Sequence, residues 1–298
     1  MNFITFDLED WHQAYALRYG ESNPVVSPYF EKQVDCLLEI LDSFSVKATF
    51  FCLGRVAIAK KSVIKKIFEA GHKIQIHGHS HDPLTNLTPE VFREDVLKAK
   101  NGLEDIIGQK VTGYRAPLFS LTEKTSWALR ILAELEFEYD SSIYPCQGPS
   151  FSWKEFPKKP VTIDLGEGLS ILEFPIFSVS CFGTQIPLGG GGYFRLFPYA
   201  FIDRCLGSDD KDDRVFYFHP YEFSQDFLNI NDAVDGLSLI TKSKISFFQN
   251  LNRSTIPKKV SRLLSRGSFY TLEDYCGRKK PESTILFPSH GEAVRYAL

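Results

Sequence analysis

Long apolar runs and paired cysteines are both missing from this chain. Nowhere do about 18 apolar residues follow one another, so we expect no membrane-spanning helix. The opening residues, MNFITFDLED, have neither the basic segment nor the apolar segment of a secretory signal. The six cysteines form no CxxC pair and no zinc-ribbon spacing, which favours free thiols in a reducing compartment. Together these absences predict a cytoplasmic protein.

An excess of positive charge is missing too. The formal net charge is −3, so the chain has no electrostatic footprint for nucleic acid, and we expect no such partner. Basic residues do gather at 256–266, IPKKVSRLLSR, in the pattern of an amphipathic helix. We expect the apolar side of this helix to pack on the rest of the protein, which leaves membrane contact at most peripheral.

What the chain does have is a regular alternation of strand and helix patterns. Its short apolar or β-branched runs are 2–6, 47–53, 73–77, 111–115, 138–144, 169–176 and 215–219. This rhythm is typical of βαβ units and a mostly parallel sheet. It predicts an α/β fold, a distorted (β/α) barrel of about seven parallel strands with loop insertions. We expect one domain over residues 1–298, with its core in 1–272 and a C-terminal extension at 273–298.

Two helix starts have specific signals. Ser27 precedes Pro28, and Thr88 precedes Pro89, which is the order of an N-cap residue and a proline in the first turn. Gly108 should end the helix that Thr88 begins, because glycine readily adopts the left-handed conformation found after helix ends.

Polar residues fall where the predicted strands end. They are Asp7, Glu9, Asp10, His77, His79, His81, Arg115, Asp140 and His219. In parallel α/β barrels the active site gathers at the carboxyl ends of the strands. We therefore expect these side chains to meet at one end of the barrel.

The histidines indicate a metal site. His77 and His81 lie on a loop that could wrap around one ion, and acidic residues follow a neighbouring strand. Two histidines and a carboxylate suit a divalent cation: zinc first, with cobalt, nickel or manganese as alternatives. We interpret His79, which alternates with this pair, as part of the site wall or the surface.

Several segments together resemble one enzyme family. TFDLED, HGHSH, YRAP, YDSS and FYFHP resemble, in order and spacing, motifs of the polysaccharide deacetylases (NodB-homology, carbohydrate esterase family four). The longer runs FDLEDWHQ, GYRAPLFS, YDSSIYP, GGGGYFRLFPY and HPYEF are most similar to the deacetylases of exopolysaccharide and O-antigen loci. The resemblance extends over about residues 3–272. It implies a metal-dependent hydrolase that removes an N-acyl group, acetyl first, from an amino sugar.

The resemblance also implies roles for individual residues. Asp7 would be the general base, with Arg115 holding its carboxylate in a bidentate fork, and His77 and His81 would be metal ligands. The backbone N–H of Leu118 would stabilise the oxyanion.

The resemblance makes His219 the general acid for the leaving amine. A buried carboxylate should tune it, and Asp140 is the first candidate, with Glu222 second.

The third metal ligand stays open between two acids. Most family members have two adjacent aspartates, whereas here Leu8 follows Asp7. Strand alternation places Asp7 and Glu9 on one face, which favours Glu9. Asp10 has the shorter side chain and serves if the chain turns sharply, and we prefer it slightly.

Other residues are candidates for contact with substrate. The run Gly189 to Gly192 precedes Tyr193 and Arg195, and it is either a flexible turn or a loop pressed against substrate. Trp11, directly after the acidic cluster, is the remaining candidate. The substrate would be an acylated amino sugar that is nucleotide-linked, lipid-linked or part of an oligosaccharide.

Two other functions compete with this one. A metal-free cyclic-amide hydrolase of the allantoinase type would share the barrel but would lack the pair His77 and His81. A catalytically inactive carbohydrate-binding barrel would be expected to lack Asp7, Arg115 or His219, all of which are present.

Overall fold

The computed structural model describes residues 1–20, 25–146, 151–181, 183–207, 213–230, 234, 236–278, 281, 283–287 and 295–296. Its strands are β1 (Asn2–Leu8), β2 (Thr49–Cys52), β3 (Lys73–Ile76), β4 (Gly113–Tyr114), β5 (Tyr139–Asp140), β6 (Val161–Gly166), β7 (Leu169–Glu173), β8 (Val179–Cys181), β9 (Thr184–Ile186), β10 (Arg214–Phe218), β11 (Phe269–Tyr270), β12 (Thr284–Leu286) and β13 (Arg295–Tyr296). Its α-helices are α1 (Trp11–Arg18), α2 (Phe30–Ser43), α3 (Gly54–Ala59), α4 (Lys61–Glu69), α5 (Pro89–Ile107), α6 (Trp127–Glu134), α7 (Gly191–Leu196), α8 (Tyr199–Leu206), α9 (Leu239–Asn250), α10 (Ile256–Leu264) and α11 (Leu272–Cys276).

Parallel strands form a barrel in the order β10-β1-β2-β3-β4-β5-β7. A single parallel bridge between Ile176, just beyond β7, and Val215 of β10 joins the two ends of this row. The Phe177 N–H donates to the Val215 carbonyl at 3.0 Å beside that bridge. The predicted distorted barrel of about seven parallel strands is therefore confirmed.

Alternation along β1 separates the barrel interior from its outer surface. Ile4, Phe6 and Leu8 lie in the large apolar cluster that also contains the buried faces of the helices. Phe3 lies in a second cluster, among aromatic rings from other barrel strands. Because side chains alternate along a strand, Thr5 and Asp7 point to the same side as Phe3, toward the barrel interior. Asp7 therefore lies at the carboxyl end of the inward-facing row.

The helix-start predictions have mixed outcomes. Thr88 accepts a hydrogen bond from the Val91 N–H, and Gly108 ends α5 with φ 69°, as predicted. Ser27, by contrast, does not cap α2, which begins at Phe30 with Tyr29 as its N-cap residue. The Ser27 hydroxyl instead donates to Asp10 at 2.8 Å, so a long-range contact uses the residue that the local pattern had assigned to a cap.

Several strands lie outside the predicted set. β6 pairs antiparallel with β7, β12 pairs parallel with β6, and β13 pairs antiparallel with β12. The described part of the C-terminal extension thus adds to the main sheet, while residues 279–280, 282, 288–294 and 297–298 lie outside the described residues. β8 and β9 form a separate hairpin.

The burial of α10, the state of the cysteines and the length of the helices can be compared with the predictions. The apolar side of α10 is buried, as predicted, through Ile256, Val260, Leu263 and Leu264. All six cysteines are free. Among the described residues, no helix is long and apolar enough to cross a bilayer.

Gly113 of β4 offers a test of packing inside the barrel. A Cβ atom on Gly113 would overlap the ring of Tyr139, which is fully buried, so neither residue has room to move apart. We expect Gly113→Ala to lower the free energy of unfolding by about 1–3 kcal/mol, as overpacking does, in urea denaturation. Gly102→Ala is the matched control, because a Cβ there meets nothing within 4 Å and α5 gains a better helix former. Equal effects of the two changes would contradict this account.

Candidate metal and acid–base site

The polar residues that follow the strands do meet at one end of the barrel. Asp7 is the second-last residue of β1. His77 follows β3, Arg115 follows β4, and His219 follows β10. All are carboxyl ends of parallel strands, where the sequence placed the site.

A carboxylate and two imidazoles form the centre of the site. One ligand atom each from Glu9, His77 and His81 lies within 4.8 Å of the other two. Oε2 of Glu9 is 2.5 Å from Nε2 of His81 and 3.9 Å from Nε2 of His77. All three side chains are nearly inaccessible to solvent. This set of one oxygen and two nitrogen donors is the kind that binds zinc and related divalent cations.

Backbone geometry holds the two imidazoles. Nδ1 of His77 lies 3.0 Å from the Arg115 carbonyl oxygen, which leaves Nε2 toward Glu9. His81 has φ 66°, in the left-handed region that non-glycine residues seldom adopt, and such strain is often found at functional sites. The Oε2 atom of Glu9 accepts no well-aligned hydrogen bond in the described structure, so its lone pairs are available to a cation.

Asp10 does not take part in this cluster, so the preference for Asp10 over Glu9 is wrong. Its Oδ2 accepts from the N–H groups of Gln13 and Ser27, at 2.9 and 3.2 Å, and its Oδ1 accepts from the Ser27 hydroxyl. The Asp10 carboxylate is the N-cap of α1, and its oxygens are occupied.

The loop between His77 and His81 is held by a residue that sequence patterns do not reveal. Asp95 of α5 accepts hydrogen bonds from the His79 N–H at 2.6 Å, from the Ser80 N–H at 3.0 Å and from the Ser80 hydroxyl. His79 is buried, and its ring lies against Gly54 of α3, so the surface alternative for His79 is wrong. Asp95 occupies an ordinary helical position, and no local motif marks it.

A buried ion pair lies beside the cluster. Nη1 of Arg115 donates to Oδ1 of Asp7 at 2.7 Å, and both side chains are essentially inaccessible. The expected bidentate fork is not formed, because the other guanidinium nitrogens bond elsewhere. Nε donates to the Ser141 carbonyl and Nη2 to the Ser141 hydroxyl, each at 2.8 Å. One contact therefore orients Asp7, and in the described hydrogen bonds its Oδ2 is not engaged.

His219 has a carboxylate on each side. Its Nδ1 lies 3.4 Å from Oε2 of Glu222, and its Nε2 lies 3.4 Å from Oε1 of Glu9. Glu222 Oε2 also accepts from the His219 backbone N–H at 2.9 Å, which fixes its position. The Tyr221 ring stacks on the imidazole with centroids 4.9 Å apart.

The charges around the site set its protonation. Burial lowers the pKa of His219, but the hydrogen bond to Glu222 and the charges of Glu9 and Glu222 outweigh it and raise the pKa to about 9. Burial raises the pKa of Glu9, but the charge and close contact of His81 and the charges of His219 and His77 lower it to about 2. His219 is thus protonated and Glu9 ionised at neutral pH.

Asp140 does not tune His219, so its ranking before Glu222 is wrong. The Asp140 carboxylate accepts from the Ser142 hydroxyl at 2.6 Å and forms a buried pair with Glu173. Burial and the Asp140 charge raise the pKa of Glu173 well above its usual range, so Glu173 holds the proton of this pair. The Ser142 hydroxyl accepts from the Ala116 N–H at 2.7 Å, so Asp140 supports the segment after Arg115.

The Leu118 backbone has a conformation suited to the role that the resemblance implies. Leu118 has φ 57° and Phe119 has φ 54°, two successive left-handed residues. The turn's own hydrogen bonds are donated by the Phe119 and Ser120 N–H groups. Its oxyanion role remains a prediction.

The glycine run, Gly189 to Gly192, packs against barrel side chains and against the Glu222 carboxylate. A Cβ on Gly190 would meet the Tyr144 and Tyr217 rings, and one on Gly191 would overlap the Glu222 carboxylate. The close approach to Glu222 requires glycine, which is a reason for this run other than substrate contact.

Two of the residues predicted to contact substrate, Arg195 and Trp11, make contacts within the protein in the described structure. Arg195 donates to the carbonyls of Gln249 at 2.8 Å and Phe248 at 2.9 Å, and so ties α7 to α9. Trp11 is buried, beside Tyr15 and Tyr221. Tyr193 is 37% exposed on α7 and can reach a ligand. Substrate contact by Tyr193, Arg195 and Trp11 remains a prediction.

Comparison with known proteins divides the chain in two. Residues 22–139 match the sequence profile of the polysaccharide deacetylase family, and residues 141–277 match that of a domain of unknown function, DUF3473. A peptidoglycan deacetylase of Helicobacter pylori is 29% identical over 107 residues, which are 36% of this chain and 36% of that protein. The chain thus matches only about a third of the length of this relative.

Solved structures show the fold more widely. A probable polysaccharide deacetylase from Pseudomonas aeruginosa has a TM-score of 0.58 at 15% identity, covering 92% of this chain and 88% of the other. The Puue allantoinase has the same TM-score of 0.58 at 14% identity, covering 92% and 87%. At such identities the likeness concerns the fold alone, the barrel of the deacetylases and their neighbours. Residues 22–139 of this chain are therefore similar in sequence to the polysaccharide deacetylase family.

Proposed function

We propose that this protein is a metal-dependent hydrolase that removes an N-acyl group, acetyl first, from an amino sugar. One observation carries the proposal: the Glu9, His77 and His81 cluster adjoins both a carboxylate held by Arg115 and a histidine whose pKa is raised. Amide hydrolysis needs a base for the attacking water and an acid for the departing nitrogen. A metal site beside such a base and such an acid is an arrangement suited to that reaction.

Glu9, His77 and His81 would hold the cation. Their donor types fit zinc first, with cobalt, nickel and manganese as alternatives. When bound, the cation would supply Lewis-acid polarisation of the acyl carbonyl and would make water more acidic.

The chain's own residues account for the proton transfers. Asp7 takes a proton from the attacking water at Oδ2, the oxygen that Arg115 does not engage. Because Nδ1 of His219 is directed to Glu222, its Nε2 donates the proton that the leaving amine needs. The Leu118 N–H is available to the developing oxyanion.

The substrate class is proposed from the relatives. The matched protein of Helicobacter pylori is named a peptidoglycan deacetylase, a class that acts on acetylated amino sugars. We propose for this chain an acetylated amino sugar used in exopolysaccharide or O-antigen assembly. Its cytoplasmic location remains a prediction.

The two competing functions fit the site less well. A metal-free cyclic-amide hydrolase would have no use for three buried ligand atoms within 4.8 Å of one another. An inactive carbohydrate-binding barrel has no need of a buried Asp7–Arg115 pair or of a histidine with a raised pKa.

The metal ligands can be tested by substitution. We expect His77→Ala, His81→Ala and Glu9→Gln each to lower Zn²⁺ affinity by more than the roughly 10–100-fold that loss of an outer-shell partner costs. Isothermal titration of metal-stripped protein with Zn²⁺ measures this. Asp10→Asn is the matched control, since asparagine is an equally good N-cap, and affinity should be unchanged. A larger loss in Asp10→Asn than in Glu9→Gln would return the ligand role to Asp10.

The base can be separated from the metal site. Asp7→Asn should bind Zn²⁺ normally yet lose roughly 10²–10⁴ in turnover, the range for removal of a positioned acid–base group. Acetate release from N-acetylglucosamine oligomers or lipid-linked N-acetyl sugars measures the rate. Full activity in Asp7→Asn would remove the central claim of this mechanism.

The proposed role of His219 as general acid leads to an expected dependence of turnover on pH. Because His219 acts when protonated and its pKa is raised, turnover should fall on the alkaline side as pH rises through that pKa. Glu222→Gln removes a charge that raises the pKa, so the alkaline limb should move to lower pH. A bound cation would offset the Glu9 charge, which makes Glu222 the main remaining cause. Asp140→Asn is the comparison, and its alkaline limb should stay in place. A shift of the alkaline limb in Asp140→Asn alone would show that Asp140, and not Glu222, raises the pKa of His219.

A further inference from the structure

α9 presents an apolar face to solvent. Leu239, Ile240, Phe247 and Phe248 are 80%, 70%, 61% and 60% exposed. At 3.6 residues per turn, these four positions span about half of the helix circumference. Phe227, 67% exposed, flanks this face through the adjacent Leu228, whose N–H bonds to Asn250 of α9. Several large apolar side chains exposed on one helix are a composition typical of an interaction site.

The opposite side of α9 is fixed to the protein. The Ser246 hydroxyl accepts from the Ile230 N–H at 3.1 Å, and Gln249 donates to the Tyr15 hydroxyl at 2.5 Å. Helix α9 is therefore docked with its apolar face turned outward. Other large exposed aliphatic residues, such as Val25, Ile58 and Val91, lie singly on different parts of the chain, which is ordinary for a protein surface.

The sequence segment that contains α9 is basic. Residues 237–272 include seven basic residues and no acidic one, in a chain whose net charge is −3. Lys242 and Lys244 lie on α9 itself, and Lys258 is exposed on the next helix. Exposed apolar residues bordered by lysines are the composition of helices that lie in the headgroup region of anionic bilayers.

α9 is also joined to the elements that carry the site. Arg195 of α7 bonds the carbonyls at the end of α9, and α7 begins at Gly191, against the Glu222 carboxylate. On the other side, Tyr15 belongs to α1, which follows Glu9 and Asp10 directly. A surface bound by α9 would thus lie beside the elements that hold the acid and the metal ligands.

We propose that the α9 face binds an anionic lipid bilayer and brings the site to an amino sugar carried on a lipid. The choice of a lipid-carried substrate rests on the proposed deacetylase function, whereas the membrane contact does not. A second copy of the chain is the competing occupant. It is less favoured, because a two-fold pairing of this face would bring the lysines of both copies together.

The test is flotation of the full chain with phosphatidylglycerol-containing vesicles and with neutral phosphatidylcholine vesicles. The chain should float with the anionic vesicles, and Phe247→Ser/Phe248→Ser should reduce the bound fraction about tenfold. Lys242→Gln/Lys244→Gln should weaken binding to anionic vesicles only. Val91→Ser, at an exposed aliphatic residue of α5, is the matched control and should bind as the parent does.

Several outcomes would overturn the proposal. These are no flotation of the parent chain, equal flotation of the double-Phe variant, or a dimer in light scattering that the double-Phe change dissociates. If circular dichroism shows that variant to be unfolded, Leu239→Ser/Ile240→Ser takes its place with the same expectations. Vesicle binding without deacetylation of any lipid-linked N-acetyl sugar would overturn the proposed function and leave the membrane contact standing. Deacetylation without vesicle binding would do the reverse.

Discussion

The buried guanidinium of Arg115 is the interaction on which the site depends. It contacts β1 through Thr5 and Asp7, and the segment after β5 through Ser141. Its own carbonyl lies 3.0 Å from His77 Nδ1. Removal of such a charge from water costs several kcal/mol unless its hydrogen bonds are satisfied, so these contacts constrain one another strongly. Arg115 thereby holds the Asp7 carboxylate and orients the His77 imidazole, which are the proposed base and a proposed metal ligand.

The barrel separates its carboxylates by face and by partner. Asp7 and Glu9 lie on the inner side. Asp7 pairs with Arg115, and at Glu9 the charges of the neighbouring histidines outweigh burial and lower the pKa of the carboxyl. Asp140 and Glu173 form a pair away from His219, and there burial raises both pKa values, so one proton is retained. Acids of the same type thus have different chemistry because the pleat and the neighbouring strand differ.

The site draws on both parts of the chain. His77, His81 and Arg115 lie within the matched region, residues 22–139. Glu9 precedes that region, and His219 and Glu222 follow it, in the region of unknown function. Parallel pairing of β1 with both β2 and β10 brings these segments together. The region that follows residue 141 is therefore part of the acid–base arrangement.

Local pattern by itself determined the alternation of strands and helices, the barrel class and the strand ends at which polar residues meet. These features depend on residue type and periodicity, which neighbours in the chain record. Tertiary structure alone decided which polar atoms remain available. Asp10 and Glu9 are adjacent, yet Ser27 and Gln13 occupy the oxygens of Asp10. Likewise Glu222 faces His219, while Ser142 and Glu173 engage Asp140. A hydrogen-bond partner from a distant segment leaves no trace in local periodicity. Only the folded chain therefore distinguishes a candidate metal ligand, Glu9, from a helix cap, Asp10. In the same way, only the folded chain distinguishes the carboxylate that faces His219 from the one that supports the segment after Arg115.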